Sequence, residues 1–138
     1  MIRKVQAKDA EAIAAIYNHY IAQTTITFET HPVSAQEMEQ RILSISSEYP
    51  YWVYEEKGEV IGYCYVHRWK EKEAYRYTAE TTIYIKPVYT GKGTGERLMQ
   101  HLIASCKAEG LHTLIACITY PNEPSIHLHE KLGFRPVS

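Results

Sequence analysis

The stretch from Ile83 to Met99 constrains the fold of this chain more than any other. It opens with a β-branched and aromatic run, Ile83-Tyr84-Ile85, which is typical of a strand. Pro87 has no N–H to donate to a β ladder and therefore ends that strand. Three alternating glycines then remove every second side chain: Gly91, Gly93 and Gly95. Apolar residues follow at helical spacing: Leu98, Leu102 and Cys106. The stretch predicts a strand, a glycine turn and a helix.

The glycine turn predicts an anion site, because free N–H groups at a helix N-terminus attract negative charge. It does not match a P-loop, since Gly93 follows Lys92 where Ser or Thr is needed. The dinucleotide fingerprint also fails, because Leu98 stands where a third glycine belongs. A plain tight turn that caps a helix remains the alternative.

The composition limits the class of protein. With 138 residues, of which 45% are hydrophobic, the chain predicts one domain, residues 1–138, with a real core. A net charge of −1 and the lack of a basic run argue against nucleic acid as a partner. No apolar run is long enough to cross a membrane, and the N-terminus lacks the apolar core of a signal peptide.

The cysteines indicate a reducing compartment. Cys64, Cys106 and Cys117 lie far apart in apolar stretches, without the spacing of metal ligands. We therefore expect buried thiols, a cytoplasmic location and no metal.

The remaining patterns predict a mixed α/β (α+β) sheet with helices on its faces, in the order β-α-α-β-β-β-α-β-α-β. The expected strands are Ile2–Ala7, Tyr51–Glu56, Glu59–His67, Tyr75–Lys86, Leu111–Ile118 and a last one from Phe134. The apolar strand Leu111–Ile118 is expected near the centre of the sheet. Expected helices run from an Asp9 cap to Ala22, from a Ser34/Glu37 capping box, from Gly95 to Glu109 and from Pro124 to Leu132.

Two motifs in this order resemble the GCN5-related N-acetyltransferase (GNAT) superfamily. The first is Thr90-Gly91-Lys92-Gly93-Thr94-Gly95. The second is the later helix, with Asn122, Ser125 and His129 followed by Lys131-Leu132-Gly133-Phe134. The resemblance implies the GNAT acyl-CoA N-acyltransferase fold, with the last strands shortened or missing, and acetyl-CoA as donor.

Further segments are similar to the phosphinothricin and methionine sulfoximine acetyltransferase subfamily, and together they cover essentially the whole chain. They are Tyr17-Asn18-His19-Tyr20, Thr27-Phe28-Glu29-Thr30, Tyr75–Glu80, Ile83-Tyr84-Ile85 and Pro121–Ser125. The resemblance implies a small amino-acid-like primary amine as acceptor, and a homodimer.

Two positions depart from the pattern of this subfamily. Thr90 stands where the superfamily has Arg or Gln, so we expect weaker CoA binding. The subfamily continues with two more strands, whereas this chain stops at Ser138, so we expect a C-terminally truncated chain. The Leu111–Ile118 strand is then an open edge unless a second subunit pairs with it.

Glu80 is the candidate general base. It lies within a strand of Tyr, Thr and Ile, on the same face as Arg76 and Tyr84 by two-residue alternation. A carboxylate buried at that position needs a polar or charged partner, or it has a functional role. The alternative is a structural ion pair with Arg76.

His129 occupies the Tyr/His position of the family and is the candidate acid for the leaving thiolate. Ser125 lies one helical turn away on the same face. Asn122 is expected to contact CoA, to cap the following helix, or both. The alternative for His129 is a helix histidine that only packs its ring.

The remaining assignments follow the resemblance. Backbone amides of the turn would hold the pyrophosphate, and those of Ile83 and Ile85 would hold pantetheine by strand-like pairing. The cofactor set is Ile83, Tyr84, Ile85, Thr90, Gly91, Lys92, Gly93, Thr94, Gly95, Asn122 and Ser125. Arg76 would pair with an acceptor carboxylate, and the loop with Phe28 and Glu29 would cap the acceptor site.

The sequence therefore predicts direct transfer of an acetyl group from acetyl-CoA to a small amine, without an acetyl-cysteine intermediate. A CoA-binding but inactive module is the first alternative. Acetylation of a peptide N-terminus is the second.

Overall fold

The computed structural model describes residues 1–23, 30–68, 78–111, 113–116 and 123–135. Its strands are β1 (Ile2–Lys4), β2 (Tyr51–Glu56), β3 (Glu59–Arg68), β4 (Thr78–Ile85) and β5 (Thr113–Ala116). Its helices are α1 (Ala10–Gln23), α2 (Ala35–Ser46), α3 (Thr94–Ala108) and α4 (Glu123–Lys131). The predicted order is confirmed as far as α4. Residues 134 and 135 form no strand, and the rest of the predicted last strand lies outside the described ranges.

The five strands form one sheet in the order β1-β2-β3-β4-β5. The pairs from β1 to β4 are antiparallel, and β4 pairs with β5 in parallel. The predicted mixed sheet is confirmed. The sequence predicts a central position for the strand Leu111–Ile118, whereas β5 lies at the end of the described sheet. Of its residues, Leu114 packs against the core on the α3 side.

Helices cover both faces of the sheet, and strand alternation divides the core accordingly. On the face covered by α1 and α2, Ile13 and Ile42 pack against Val53 and Tyr63. On the face covered by α3 and α4, Leu98 and Leu102 pack against strand residues of the opposite parity. The expected buried thiols are found at Cys64 and Cys106, and burial raises the pKa of Cys106 to about 12. Cys117 lies outside the described residues.

The first turn of the chain differs from the sequence expectation. β1 ends at Lys4, and a 3-10 turn over Ala7–Asp9 precedes α1. Asp9 is not the helix cap that was predicted. Its carboxylate accepts hydrogen bonds from Arg3 Nη1 and Nη2 at 2.9 and 2.8 Å and from the Gln6 N–H at 2.8 Å. Arg3 also bonds Glu55 on β2, so this ion cluster ties the start of the chain to the sheet.

The other local predictions agree with the structure. Lys57 and Gly58 both have positive φ and form the tight turn between β2 and β3. The Ser34 hydroxyl accepts the Glu37 N–H at 3.1 Å and caps α2. In the described part of the chain, no helix is long and apolar enough to cross a membrane.

We expect the Asp9 cluster to make stability depend on pH in the acid range. Burial by itself raises the pKa of Asp9, but the bonds from Arg3 and Gln6 outweigh it and leave the pKa lowered. Its stabilising contribution is therefore full above about pH 4, the range of a carboxylate in an unfolded chain, and is lost as the pH falls further. Asp9→Asn should cost about 2 kcal/mol at pH 7 and progressively less towards pH 3, as measured by urea unfolding.

Glu11→Gln, which removes an exposed carboxylate two residues away, is the matched control and should change little at either pH. An equal loss for Asp9→Asn at pH 7 and pH 3 would contradict the assignment.

Candidate active site

The glycine turn, residues 90–95, presents backbone N–H groups at the start of α3. Gly91 and Gly93 have φ of +76° and +81°, a conformation that favours glycine. Gly93 is the N-cap of α3 and provides no side-chain cap. The first intrahelical bond runs from Arg97 N–H to the Gly93 carbonyl at 3.1 Å, so the N–H groups before Arg97 are not used by the helix. This is the geometry of an anion site.

The end of β4 leads towards this turn. The described pairing of β4 with β5 covers Thr78–Thr81 and Thr113–Ala116, and β4 itself continues to Ile85. The Lys86 N–H donates to the Ile61 carbonyl on the β3 side, so by alternation the amides of Ile83 and Ile85 point to the β5 side. These two amides therefore face away from β3, at the end of β4 that precedes the glycine turn.

Two polar groups lie at this end of β4. Thr81, only 6% exposed, occupies the last described pairing position with β5, and its hydroxyl has no hydrogen-bond partner among the described residues. The Ile85 carbonyl accepts the Tyr20 hydroxyl at 2.5 Å, which holds α1 against the end of β4. A buried hydroxyl without a partner is costly, and it suits a site that a polar ligand completes.

α4 places His129 on the α3 face of the sheet. The ring is 4% exposed, its Nδ1 lies 2.7 Å from the Ser125 carbonyl, and Phe134 packs edge-on at 5.1 Å. A carbonyl can only accept, so Nδ1 carries the proton and Nε2 of the neutral ring holds a lone pair. The predicted shared face of Ser125 and His129 is confirmed, and His127 is exposed as expected.

Glu80 lies on the opposite face of β4. It is half-buried, shares its face with Tyr84 as predicted, and is register partner to His67 on β3 and Ile115 on β5. The alternative of an ion pair with Arg76 concerns a residue outside the described ranges.

Tyrosines form a wall on the same face as Glu80. Tyr84 contacts Tyr17, Tyr20 and Tyr63 with ring centroids 5.4, 5.2 and 5.8 Å apart. Burial raises the pKa of Tyr63 well above the ordinary value, so its phenol stays neutral. The sequence analysis did not single out Tyr63 and Tyr65. The two-residue alternation of Tyr63 and Tyr65 along β3 was the signal that marks one face.

The other predicted cofactor residues differ in where their side chains point. The Thr90 hydroxyl donates to the Pro87 carbonyl at 2.8 Å, and Lys92 Nζ lies 5.7 Å from the centre of the Tyr89 ring. The Thr94 side chain is buried. Four predicted site residues lie outside the described ranges: Phe28, Glu29, Arg76 and Asn122. Within the described residues no group of three or more His, Cys, Asp or Glu side chains could hold a metal ion.

A family model for the acetyltransferase (GNAT) domain matches residues 2–138. The chain belongs to the GNAT acetyltransferase family. It is 38% identical over 133 residues to a phosphinothricin N-acetyltransferase of Streptomyces viridochromogenes, covering 96% of this chain and 73% of that protein. It is 36% identical over 137 residues to an L-amino acid N-acyltransferase of Escherichia coli, with 96% and 78% covered. A methionine sulfoximine/methionine sulfone acetyltransferase of Salmonella typhimurium is 34% identical over 137 residues, again with 96% and 78% covered.

Solved structures agree with these relatives. The phosphinothricin acetyltransferase of Sinorhizobium meliloti in complex with acetyl-CoA gives a TM-score of 0.94 at 37% identity, covering 98% of this chain and 74% of that one. A ribosomal-protein-alanine N-acetyltransferase of Brucella melitensis gives 0.97 at 29% identity, with 100% and 86% covered. The predicted family and fold are confirmed. The chain is therefore an N-acetyltransferase of this family.

Proposed function

We propose that this acetyltransferase acylates the primary amine of a small amino-acid-like acceptor of the phosphinothricin or methionine sulfoximine type. One observation carries the proposal: the half-buried carboxylate of Glu80 shares a face of the sheet with a wall of tyrosines. An aromatic wall with one carboxylate suits a compact acceptor that carries an amine. The names of the relatives support the same acceptor class.

We assign the donor to the end of β4 and the glycine turn. The amides of Ile83 and Ile85, which point to the β5 side, pair with the amide groups of pantetheine, as an added strand would. The amides of Gly91, Gly93, Thr94 and Gly95 receive the pyrophosphate at the start of α3. Ser125 and Asn122 belong to the same set, and Thr90 contributes its backbone while its hydroxyl is bonded to Pro87.

Glu80 is the proposed base. An ammonium group cannot attack a thioester, so one proton must leave before transfer, directly to the Glu80 carboxylate or through a water molecule. The amine then attacks the thioester carbonyl, and the thiolate of CoA leaves. Arg76, Phe28 and Glu29 remain assigned to the acceptor side.

A second acceptor class is a peptide N-terminus. The high structural similarity to the Brucella melitensis enzyme, named for a ribosomal-protein alanine, favours it. The tyrosine wall, in which α1 closes over β4 through the Tyr20 bond to Ile85, favours a small acceptor instead.

A turnover screen with acetyl-CoA separates these two classes. The acceptors are phosphinothricin, methionine sulfoximine, methionine sulfone, ordinary amino acids and a peptide that begins with alanine, and thiol release is measured with a chromogenic reagent. We expect kcat/KM at least about tenfold higher for one of the first three than for the peptide. Preference for the peptide would replace the proposed acceptor, and CoA binding without any turnover would indicate an inactive module.

Replacing Glu80 by Gln tests the base. The amide keeps the size of the side chain but cannot take a proton, so turnover should fall roughly 100-fold or more at neutral pH. Glu56→Gln, at the exposed end of β2, is the matched control and should turn over normally. Full activity of Glu80→Gln would remove Glu80 as the base.

His129 is the proposed acid for the departing thiolate, and its geometry defines the proton that it can give. Because Nδ1 donates to the Ser125 carbonyl, Nε2 carries a proton only in the doubly protonated ring.

Replacing His129 by Phe removes the proton donor, so kcat should fall about tenfold or more, whereas His129→Tyr keeps an O–H donor and should retain most of kcat. The measurement is kcat with both substrates saturating, and His127→Phe, which replaces an exposed histidine on the same helix, is the control. An unchanged kcat for His129→Phe would exclude the acid role.

We further propose that the enzyme is a cytoplasmic homodimer. Two buried free thiols among the described residues support a reducing compartment, and the position of β5 at the end of the described sheet supports pairing with a second subunit. Light scattering of the purified chain should give twice the monomer mass of 15.9 kDa, and the monomer mass would refute the dimer.

A further inference from the structure

We propose that Arg97 supplies the cationic contact to the pyrophosphate of acetyl-CoA that residue 90 lacks in this chain. The inference rests on acetyl-CoA as the donor and not on the identity of the acceptor. It assigns a binding role to a residue outside the glycine motif.

The side chains of the glycine turn do not place a positive charge beside the N–H groups that begin α3. Thr90 has no charge, and its hydroxyl is bonded to the Pro87 carbonyl at 2.8 Å. Lys92 is exposed, and its ammonium lies against the Tyr89 ring, 5.7 Å from the centroid. Neither side chain reaches over the N–H groups that begin α3.

Arg97 does reach that place. It lies in the first turn of α3, and helical side chains lean towards the N-terminus of their helix. Its Nη2 lies 4.0 Å from the position that a Cβ atom would occupy at Gly93. Its Nη1 donates to the Tyr54 hydroxyl at 3.1 Å, which holds the guanidinium in place.

The guanidinium of Arg97 is available to bind an anion, because the carboxylate next to it in sequence is paired with another residue. The neighbouring carboxylate of Glu96 is paired with Lys131 on α4 at 3.0 Å. Arg97 itself forms no ion pair with any described residue. A guanidinium has five N–H donors, and the bond to Tyr54 uses one of them. The remaining fork matches the oxygens of a phosphate group.

The Arg97→Gln variant tests the proposal by calorimetry with acetyl-CoA, without any acceptor. A lost hydrogen bond to a charged group should weaken binding about 10- to 100-fold. The same loss is expected with 3′-dephospho-CoA, because that molecule keeps the pyrophosphate. A loss confined to CoA forms that carry the 3′-phosphate would overturn the assignment to the pyrophosphate.

Two further variants exclude a general effect of charge. Lys107→Gln removes one positive charge from the last turn of the same helix and should leave the affinity unchanged. Thr90→Arg should restore most of the affinity in Arg97→Gln and add little to the unaltered chain, because both cations serve one phosphate group. Equal gains in the two backgrounds, or an equal loss with Lys107→Gln, would refute the proposal. Melting temperatures confirm that each variant is folded.

Discussion

The pairing of β4 with β3 is the constraint on which the rest of the proposed site depends. β4 is paired with β3 as far as Ile85, so the end of the strand is held in a fixed position. The amides of Ile83 and Ile85 therefore have fixed directions and point to the β5 side, where a ligand that pairs like a strand could accept their hydrogen bonds. The same strand then enters the 3-10 turn and the glycine turn without a long loop. These amides and the anion site therefore lie close together in sequence.

Strand alternation divides the chemistry between the two faces of β4. Odd positions such as Ile83 and Ile85 turn their side chains to α3, where Leu128 and His129 of α4 also lie. Even positions, Glu80 and Tyr84, turn to the tyrosines under α1 and α2. A single residue step along β4 thus separates the face of His129, the proposed acid, from the face of Glu80, the proposed base.

The sequence predicted features whose causes are local and missed those whose causes are distant. The β-branched run, the Pro87 stop, the alternating glycines and the Ser34 cap each act within a few residues, and the structure confirms them. From local sequence, Asp9 was predicted to be a helix cap. Its actual partner is Arg3, which also binds Glu55, and this arrangement depends on the pairing of β1 with β2, which local rules cannot predict. The apolar content of β5 indicated a central strand, but the order of strands in a sheet depends on pairings between distant segments. The proton position on His129 likewise depends on the contact between its ring and the Ser125 carbonyl.

The glycine turn packs directly against α4. Gly93 is glycine because its φ is positive, whereas Gly95 is glycine for close packing: a Cβ there would lie 3.3 Å from Leu128 on α4. The Glu96–Lys131 pair adds a second connection between the two helices. His129 follows Leu128 in α4, so its position depends on the packing of α4 against the start of α3. A change that displaces the start of α3 would therefore also displace His129, the proposed acid.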